Sequence, residues 1–355
     1  MNSSKEILKK YVCKHPFEYI DIQDTGDFVC CPSWCPTNIR SEKGLDWQSD
    51  NAIDIRKSML DGTYRHCDHE ICPSLSTLLK TGEKPYNFYT KEEFVEKYEI
   101  SKPEDVYKFD KGPEEILFGW DRSCNLRCPS CRVNLIKNDP IDSPEHKVKL
   151  DLMNLVEEKL GPYLKKIMVT GSGDPFYSNI YRDFLINFDI KKYPSLEALQ
   201  IITNGRMLTE KMWNSLKAAP YIKQIEISID AGEKETYEKV TRIGGKWDLL
   251  LENLKFISTI DTLDEMIVSM VVSEKNYKEM KKFYKLMRSI FKYSNYSVAI
   301  NFRQHVYWGT GKYTEHEVEQ MQVFRPEHEL FDDFIEQVRK IDGKKYVSHN
   351  FHHLL

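Results

Sequence analysis

Past residue 115 the apolar positions fall into short runs separated by longer stretches with helical spacing. The runs Ile116–Trp120, Ile167–Thr170, Leu199–Thr203, Gln224–Ile229, Met266–Val272 and Val298–Phe302 read as buried strands. Between them the spacing predicts helices over 145–160, 208–218, 233–257 and 275–291. Six strands alternating with helices predict an α/β fold built on a parallel sheet or barrel. Chemistry in such folds sits at the C-terminal ends of the strands, so those positions carry the functional reading.

The chain before residue 81 lacks this rhythm. It offers short strand signals at Tyr19–Ile22 and Asp27–Cys31 and one helix over Asp50–Leu60, with Ile53, Met59 and Leu60 apolar and Gly62 as its stop. Residues 81–114 are polar and charged and read as a connecting segment with one short helix. The expected layout is a cysteine-rich domain over 1–80, a linker over 81–114, the strand–helix domain over 115–310 and a helical extension over 311–355. No internal repeat or low-complexity segment interrupts it.

Composition narrows the function classes. The 355 residues are 41% hydrophobic and 30% charged, with a net charge of −4. A core is therefore available, and the basic balance typical of a nucleic-acid-binding domain is missing. Met1–Lys10 is polar, and no run approaches the ~20 apolar residues of a membrane span. These features predict a cytoplasmic location, where thiols stay reduced and cysteines serve as metal ligands or catalytic thiols. Of the nine cysteines, six lie between positions 13 and 72 and three between 124 and 131, which points to two metal sites.

Directly after the first strand of the repeating region comes Asp121-Arg122-Ser123-Cys124-Asn125-Leu126-Arg127-Cys128-Pro129-Ser130-Cys131. Three thiolates spaced C-x3-C-x2-C can hold three irons of a cubane cluster and leave the fourth open. Zinc usually takes paired C-x2-C units, and no second pair follows here. A ferredoxin run has a shorter first gap.

This motif resembles that of the radical S-adenosylmethionine (SAM) superfamily, and the resemblance extends over about residues 115 to 305. After the second strand, Thr170-Gly171-Ser172-Gly173-Asp174-Pro175 is similar to the family's glycine-rich turn. By that resemblance Ser172, Gly173 and Asp174 meet the amino group of SAM. Asn204 follows the third strand, and Ser228 and Asp230 after the fourth match the family's ribose contacts. Arg242, in Arg242-Ile243-Gly244-Gly245, either pairs with the carboxylate of SAM or ends a helix in solvent. The family often has an aromatic residue before the third cysteine, where this chain has Ser130.

The resemblance implies a partial (β/α)6 TIM-like barrel that carries a catalytic 4Fe-4S cluster and SAM. It implies reductive cleavage of SAM to a 5′-deoxyadenosyl radical that abstracts hydrogen from a substrate carbon. An electron donor of flavodoxin or ferredoxin type is the expected partner.

The N-terminal cysteines resemble SPASM/Twitch auxiliary-cluster domains, through Gly26-x4-Cys31, Cys67-x4-Cys72 and the intervening Ile55–Gly62. That likeness assigns Cys13, Cys31, Cys67 and Cys72 to a second 4Fe-4S cluster and leaves Cys30 and Cys35 outside it. Zinc stays open as the alternative at this site, and His66 and His69 are expected in solvent. Arg303 and His305, after the sixth strand, are expected either to contact substrate or SAM or to close the barrel. The substrate is a peptide, a sugar or another small molecule. A tRNA-modifying enzyme and a non-catalytic metal-binding protein are the alternatives.

Overall fold

A computed structural model of the chain describes residues 6–30, 39–41, 44–69, 72–102, 105, 112–307 and 313–355. Cys31 and Cys35, both singled out above, lie outside the described residues. The chain divides into two compact units, one of 1–120, 147–168 and 190–197, the other of 121–146, 169–189 and 198–355. These boundaries differ from the expected ones. The first two strands of the repeating region group with the N-terminal residues, because backbone pairing ties them there.

The strands of the first unit are β1 (Tyr11–Cys13), β2 (Tyr19–Gln23), β3 (Asp27–Phe28), β4 (Arg40–Ser41), β5 (Gly44–Leu45), β6 (Phe88–Thr90), β7 (Glu115–Gly119) and β8 (Lys166–Val169). Strand β2 runs parallel to β7 and antiparallel to β3, in the order β8-β7-β2-β3. Residues 81–102 were expected as a linker, but they belong to the body of this unit. Strand β6 pairs antiparallel with β1, and the helix Lys91–Tyr98 starts in a reciprocal cap between Thr90 and Glu93. That helix buries Phe94 and Tyr98, the apolar contribution that a polar composition conceals.

Helix Asp50–Leu60 forms over the expected residues, capped by the Ser49 hydroxyl, which accepts from Ala52 N at 3.3 Å. Its buried face holds Ala52, Ile55, Met59 and one guanidinium, that of Arg56. Arg56 donates to Pro16 O at 2.7 Å, Trp47 O at 3.0 Å and Gln48 Oε1 at 2.8 Å, and lies over the Trp47 ring at 4.4 Å. Burial pulls it down to about 10, still charged at neutral pH.

The second unit is an uninterrupted parallel sheet. It comprises β9 (Ala198–Thr203), β10 (Ile222–Ser228), β11 (Glu265–Val272), β12 (Ser297–Gln304) and β13 (Val347–His349), hydrogen-bonded in that order. The register pairs Thr203 with Ile227, Ser228 with Ser269, and Val272 with Gln304. The residues just past these strands therefore line one edge of the sheet.

Two departures from the expected elements matter. The stretch 233–257 is not one helix. It is Lys234–Thr236, a wide five-residue turn over Tyr237–Thr241, and a separate helix Trp247–Ile257. The region 311–355 has helices Glu315–Met321 and Phe331–Arg339 but returns to the sheet as β13, too short to show in the pattern. No helix among the described residues is long and apolar enough to cross a membrane.

Replacing Arg56 with Ala strips three acceptors, two of them buried, of their donor. The expected loss is ~3 kcal/mol of stability, measurable by chemical denaturation, with faster hydrogen exchange over residues 11–64. A loss under ~1 kcal/mol, the worth of one ordinary hydrogen bond, would show that the guanidinium does not frame this unit.

Candidate active site

The cysteine loop is ordered by its own backbone. Cys124 N donates to Ile136 O at 2.9 Å, and Cys131 N and Arg132 N both donate to Cys128 O, at 3.0 and 3.1 Å. At its start Asp121 takes the Ser123 hydroxyl at 2.8 Å and the Ser178 hydroxyl at 2.6 Å. Cys124 and Cys128 are buried and Cys131 half-buried. Burial pushes the Cys124 thiol up to about 11 and also raises Cys128, against the pull of Arg242. Such thiols ionise only when something cationic binds them.

Each sulfur has a donor aimed at it. Asn204 Nδ2 lies 3.7 Å from Cys124 Sγ, an Arg242 nitrogen 3.4 Å from Cys128 Sγ, and an Arg132 nitrogen 3.4 Å from Cys131 Sγ. Arg132 is a functional candidate that the sequence reading missed, since one arginine after a cysteine forms no pattern. Its guanidinium also donates to Arg122 O at 2.9 Å and Ser172 O at 2.8 Å, which joins the cysteine loop to the glycine-rich turn.

The glycine-rich turn follows β8. Gly173 packs so closely that a Cβ there would sit 2.7 Å from Asp121 O and 2.8 Å from Ser123 O. Asp174, expected at the amino group of SAM, is fully buried and does not line the cavity at the site. One carboxylate oxygen accepts from Phe176 N and Tyr177 N, both at 3.2 Å. The other accepts from the Thr203 hydroxyl at 2.7 Å and Asn204 N at 3.0 Å. Its acceptors are used internally.

Past β10, Asp230 and Arg242 form a buried ion pair with an N···O distance of 2.7 Å, and Val271 N donates to the same carboxylate at 2.8 Å. The break in the 233–257 stretch is what brings Arg242 here. Gly244 turns the chain at φ +94°, and a Cβ on Gly245 would lie 2.4 Å from the Tyr237 ring. Of the two readings of Arg242, the solvent-exposed one is excluded by this burial. Arg303 is held by both carboxylate oxygens of Glu226 at 3.0 Å. His305 is buried, and neither ring nitrogen has a hydrogen-bond partner, nor does Arg242 Nε. Buried polar atoms of this kind normally meet a ligand or water.

These groups share a cavity of about 280 Å³. The three cysteines form one wall; Ser172, Gly173 and Asn204 form the next; Ser228, Asp230, Arg242, Arg303 and His305 complete it. All the expected second-unit site residues except Asp174 are therefore brought together. A second cavity of about 330 Å³ shares Ser130, Asp230, Val271 and His305 with the first and adds Pro129, Ile243, Asn276 and Met321. Three thiols, two of them buried, a cationic or amide donor at each sulfur, and buried polar atoms without a partner fit an anionic iron–sulfur cluster with a polar ligand beside it.

In the first unit, burial holds the Tyr64 hydroxyl well above the ordinary phenol range, and neighbouring Cys13, Cys67 and Cys72 bear on it too. The Tyr64 hydroxyl donates to Tyr11 O at 2.8 Å, and Cys67 N donates to Tyr64 O at 2.9 Å. Burial pushes Cys13 up to about 12, and the neighbouring Cys72 adds to this. His66 and His69 are half-buried rather than in solvent. His66 meets Asp54 at 2.7 Å and His69 meets Tyr64 O at 3.2 Å. Cys30 is buried, and Cys31 lies outside the described residues.

The family model described as the radical SAM superfamily matches residues 122–287. A GTP 3′,8-cyclase of Clostridium perfringens (strain SM101 / Type A) is 30% identical over 137 residues, 39% of this chain and 41% of that protein. A GTP 3′,8-cyclase of Alkaliphilus metalliredigens (strain QYMF) is 27% identical over 166 residues, 45% of this chain and 48% of that protein. The chain thus spans less than half the length of these curated relatives. Among solved structures, Streptococcus suis SuiB bound to precursor peptide SuiA is similar at 13% identity, over 86% of this chain and 63% of that one, with a TM-score of 0.46. Native anSMEcpe with bound AdoMet is similar at 16% identity, over 54% and 51%, with a TM-score of 0.40.

Asp174→Ala tests the structural role assigned to that carboxylate. Four buried donors lose their acceptor, so stability should fall by ~3 kcal/mol in chemical denaturation. A variant of full stability would overturn that role.

Proposed function

The chain carries a radical SAM domain over residues 122–287, and from that premise we propose an enzyme that holds a four-iron cluster on Cys124, Cys128 and Cys131 and cleaves SAM beside it. The observation that carries this reading is the shared cavity, which joins three thiols, two of them buried and each with its own donor, to polar groups from four strand ends. Bound together, the reduced cluster and SAM supply a 5′-deoxyadenosyl radical for hydrogen abstraction.

The protein's share is positioning and exclusion of water. In this reading Ser172, Gly173 and Asn204, which line the cavity, receive the amino end of SAM, Arg242 its carboxylate, and Ser228 and Asp230 its ribose. The second cavity suits the base. Pro129, Ile243, Val271 and Met321 supply the apolar surface that Ser130 does not. Burial holds His305 below the ordinary imidazole range, against the pull of Asp230. The neutral ring then offers one donor and one acceptor to substrate or SAM.

A second four-iron cluster on Cys13, Cys31, Cys67 and Cys72 is part of the proposal, supported by Tyr64, whose carbonyl accepts from Cys67 N and whose hydroxyl donates to Tyr11 O on the strand of Cys13. Protein ligands on all four irons leave no place for SAM, so such a cluster serves electron transfer or bracing. It suits a net oxidation or crosslinking of a peptide, sugar or other small molecule, with a flavodoxin- or ferredoxin-type electron donor.

The test is anaerobic reconstitution. About eight irons per chain are expected, as two cubanes, falling to about four when Cys124, Cys128 and Cys131 become Ala. Reductant and SAM should release 5′-deoxyadenosine and methionine. Full iron content in the triple variant, or intact SAM after reduction, would sink the proposal.

Cys67→Ala should cost about half of the iron and speed proteolysis of residues 1–75. Zinc in its place would remove the second cluster but leave the first.

A further inference from the structure

Arg132 is 5% exposed, and among the described residues no carboxylate lies within ion-pair distance of it. Its hydrogen bonds go to two neutral carbonyls, Arg122 O and Ser172 O, and to Cys131 Sγ. A buried guanidinium without a counter-ion costs several kcal/mol, so its charge calls for an anion nearby. Arg242 is different, because Asp230 already balances it at 2.7 Å. Of the two guanidinium groups against the cysteines, Arg132 alone brings an uncompensated positive charge to the cavity wall.

We infer that Arg132 is a positioning residue that acts through Cys131, holding a fixed positive charge against the cluster and raising the potential at which it accepts an electron. The inference rests on the cluster reading above. One-electron reduction by an external donor adds one negative charge to the cluster. A cation fixed at 3.4 Å from a ligating sulfur stabilises the reduced form more than the oxidised one. The carbonyls of Arg122 and Ser172 stop the guanidinium from turning away. The same side chain therefore sets the charge at the cluster and the distance between the cysteine loop and the glycine-rich turn.

The experiment is a potentiometric titration of the reconstituted full chain, followed by electron paramagnetic resonance of the reduced cluster. It uses Cys67→Ala as background, so that only the Cys124, Cys128 and Cys131 site is read. Arg132→Met should lower the reduction equilibrium constant at least tenfold, about 59 mV more negative for one electron. Arg132→Lys should recover part of that shift, since it keeps the charge but not the fork. An unchanged or more positive potential in Arg132→Met overturns the inference, as does a Lys variant as low as Met. If Arg132→Met holds no cluster, Arg132→Gln is compared with Arg132→Lys, and equal potentials overturn the inference. If all three variants fail to load iron while the parent loads, Arg132 serves assembly and the inference is likewise overturned. A parent chain that loads no cluster at Cys124, Cys128 and Cys131 instead removes the reading beneath it.

Discussion

One buried carboxylate holds the second unit's site together. Asp174 N donates to Ser123 O in the cysteine loop at 2.9 Å, while its side chain takes donors from its own turn and from the end of β9. Three segments far apart in sequence are thereby fixed by a single residue. Desolvation raises its pKa, and hydrogen bonds from Asn204 and Thr203 oppose that rise. Asn204, held by this carboxylate at its backbone, is then free to aim its amide at Cys124 Sγ and Asn125 Oδ1.

Much of this was legible in the sequence, for identifiable reasons. The strands from β7 to β12 are each built around buried apolar positions, and buried parallel strands write that signal plainly. The residues after them follow automatically, and position together with the family resemblance brought Asn204, Ser228, Asp230 and His305 forward as candidates. What the sequence hides is which way a polar group points. Asp174 occupies the place of a ligand contact but turns inward. Arg303 is clamped by Glu226, a partner 77 residues away that no local pattern announces. The break at Tyr237–Thr241 was missed because the flanking apolar positions keep helical spacing, although Gly244-Gly245 marks the point where the chain must turn.

Charge is distributed unevenly around the three thiols, and the arrangement makes sense only as a whole. Arg242 is neutralised in place by Asp230, so it can stay buried whatever the cavity holds. Arg132 has no such partner and depends on the cysteines themselves. Protonated thiols leave it uncompensated, whereas thiolates bound to a cationic cluster core supply the missing anion. Cluster binding and burial of this arginine therefore reinforce each other, and the loop should be most stable when loaded.

The strand ends carry strain that glycine would relieve. Thr170 and Asp230, both just past a strand, have φ of +59° and +58°, a region costly to residues with a Cβ. Each is held there by its own side chain. The Thr170 hydroxyl accepts from Ser172 N at 3.0 Å and Gly173 N at 2.9 Å, which shapes the glycine-rich turn. Asp230 accepts from Val271 N and pairs with Arg242, while Asn276 donates to its carbonyl at 2.9 Å. A glycine at either position would adopt the backbone at lower cost yet abolish the contacts that set the turn. The strained residue persists because its side chain is worth more to the site than the ~1–3 kcal/mol its backbone costs.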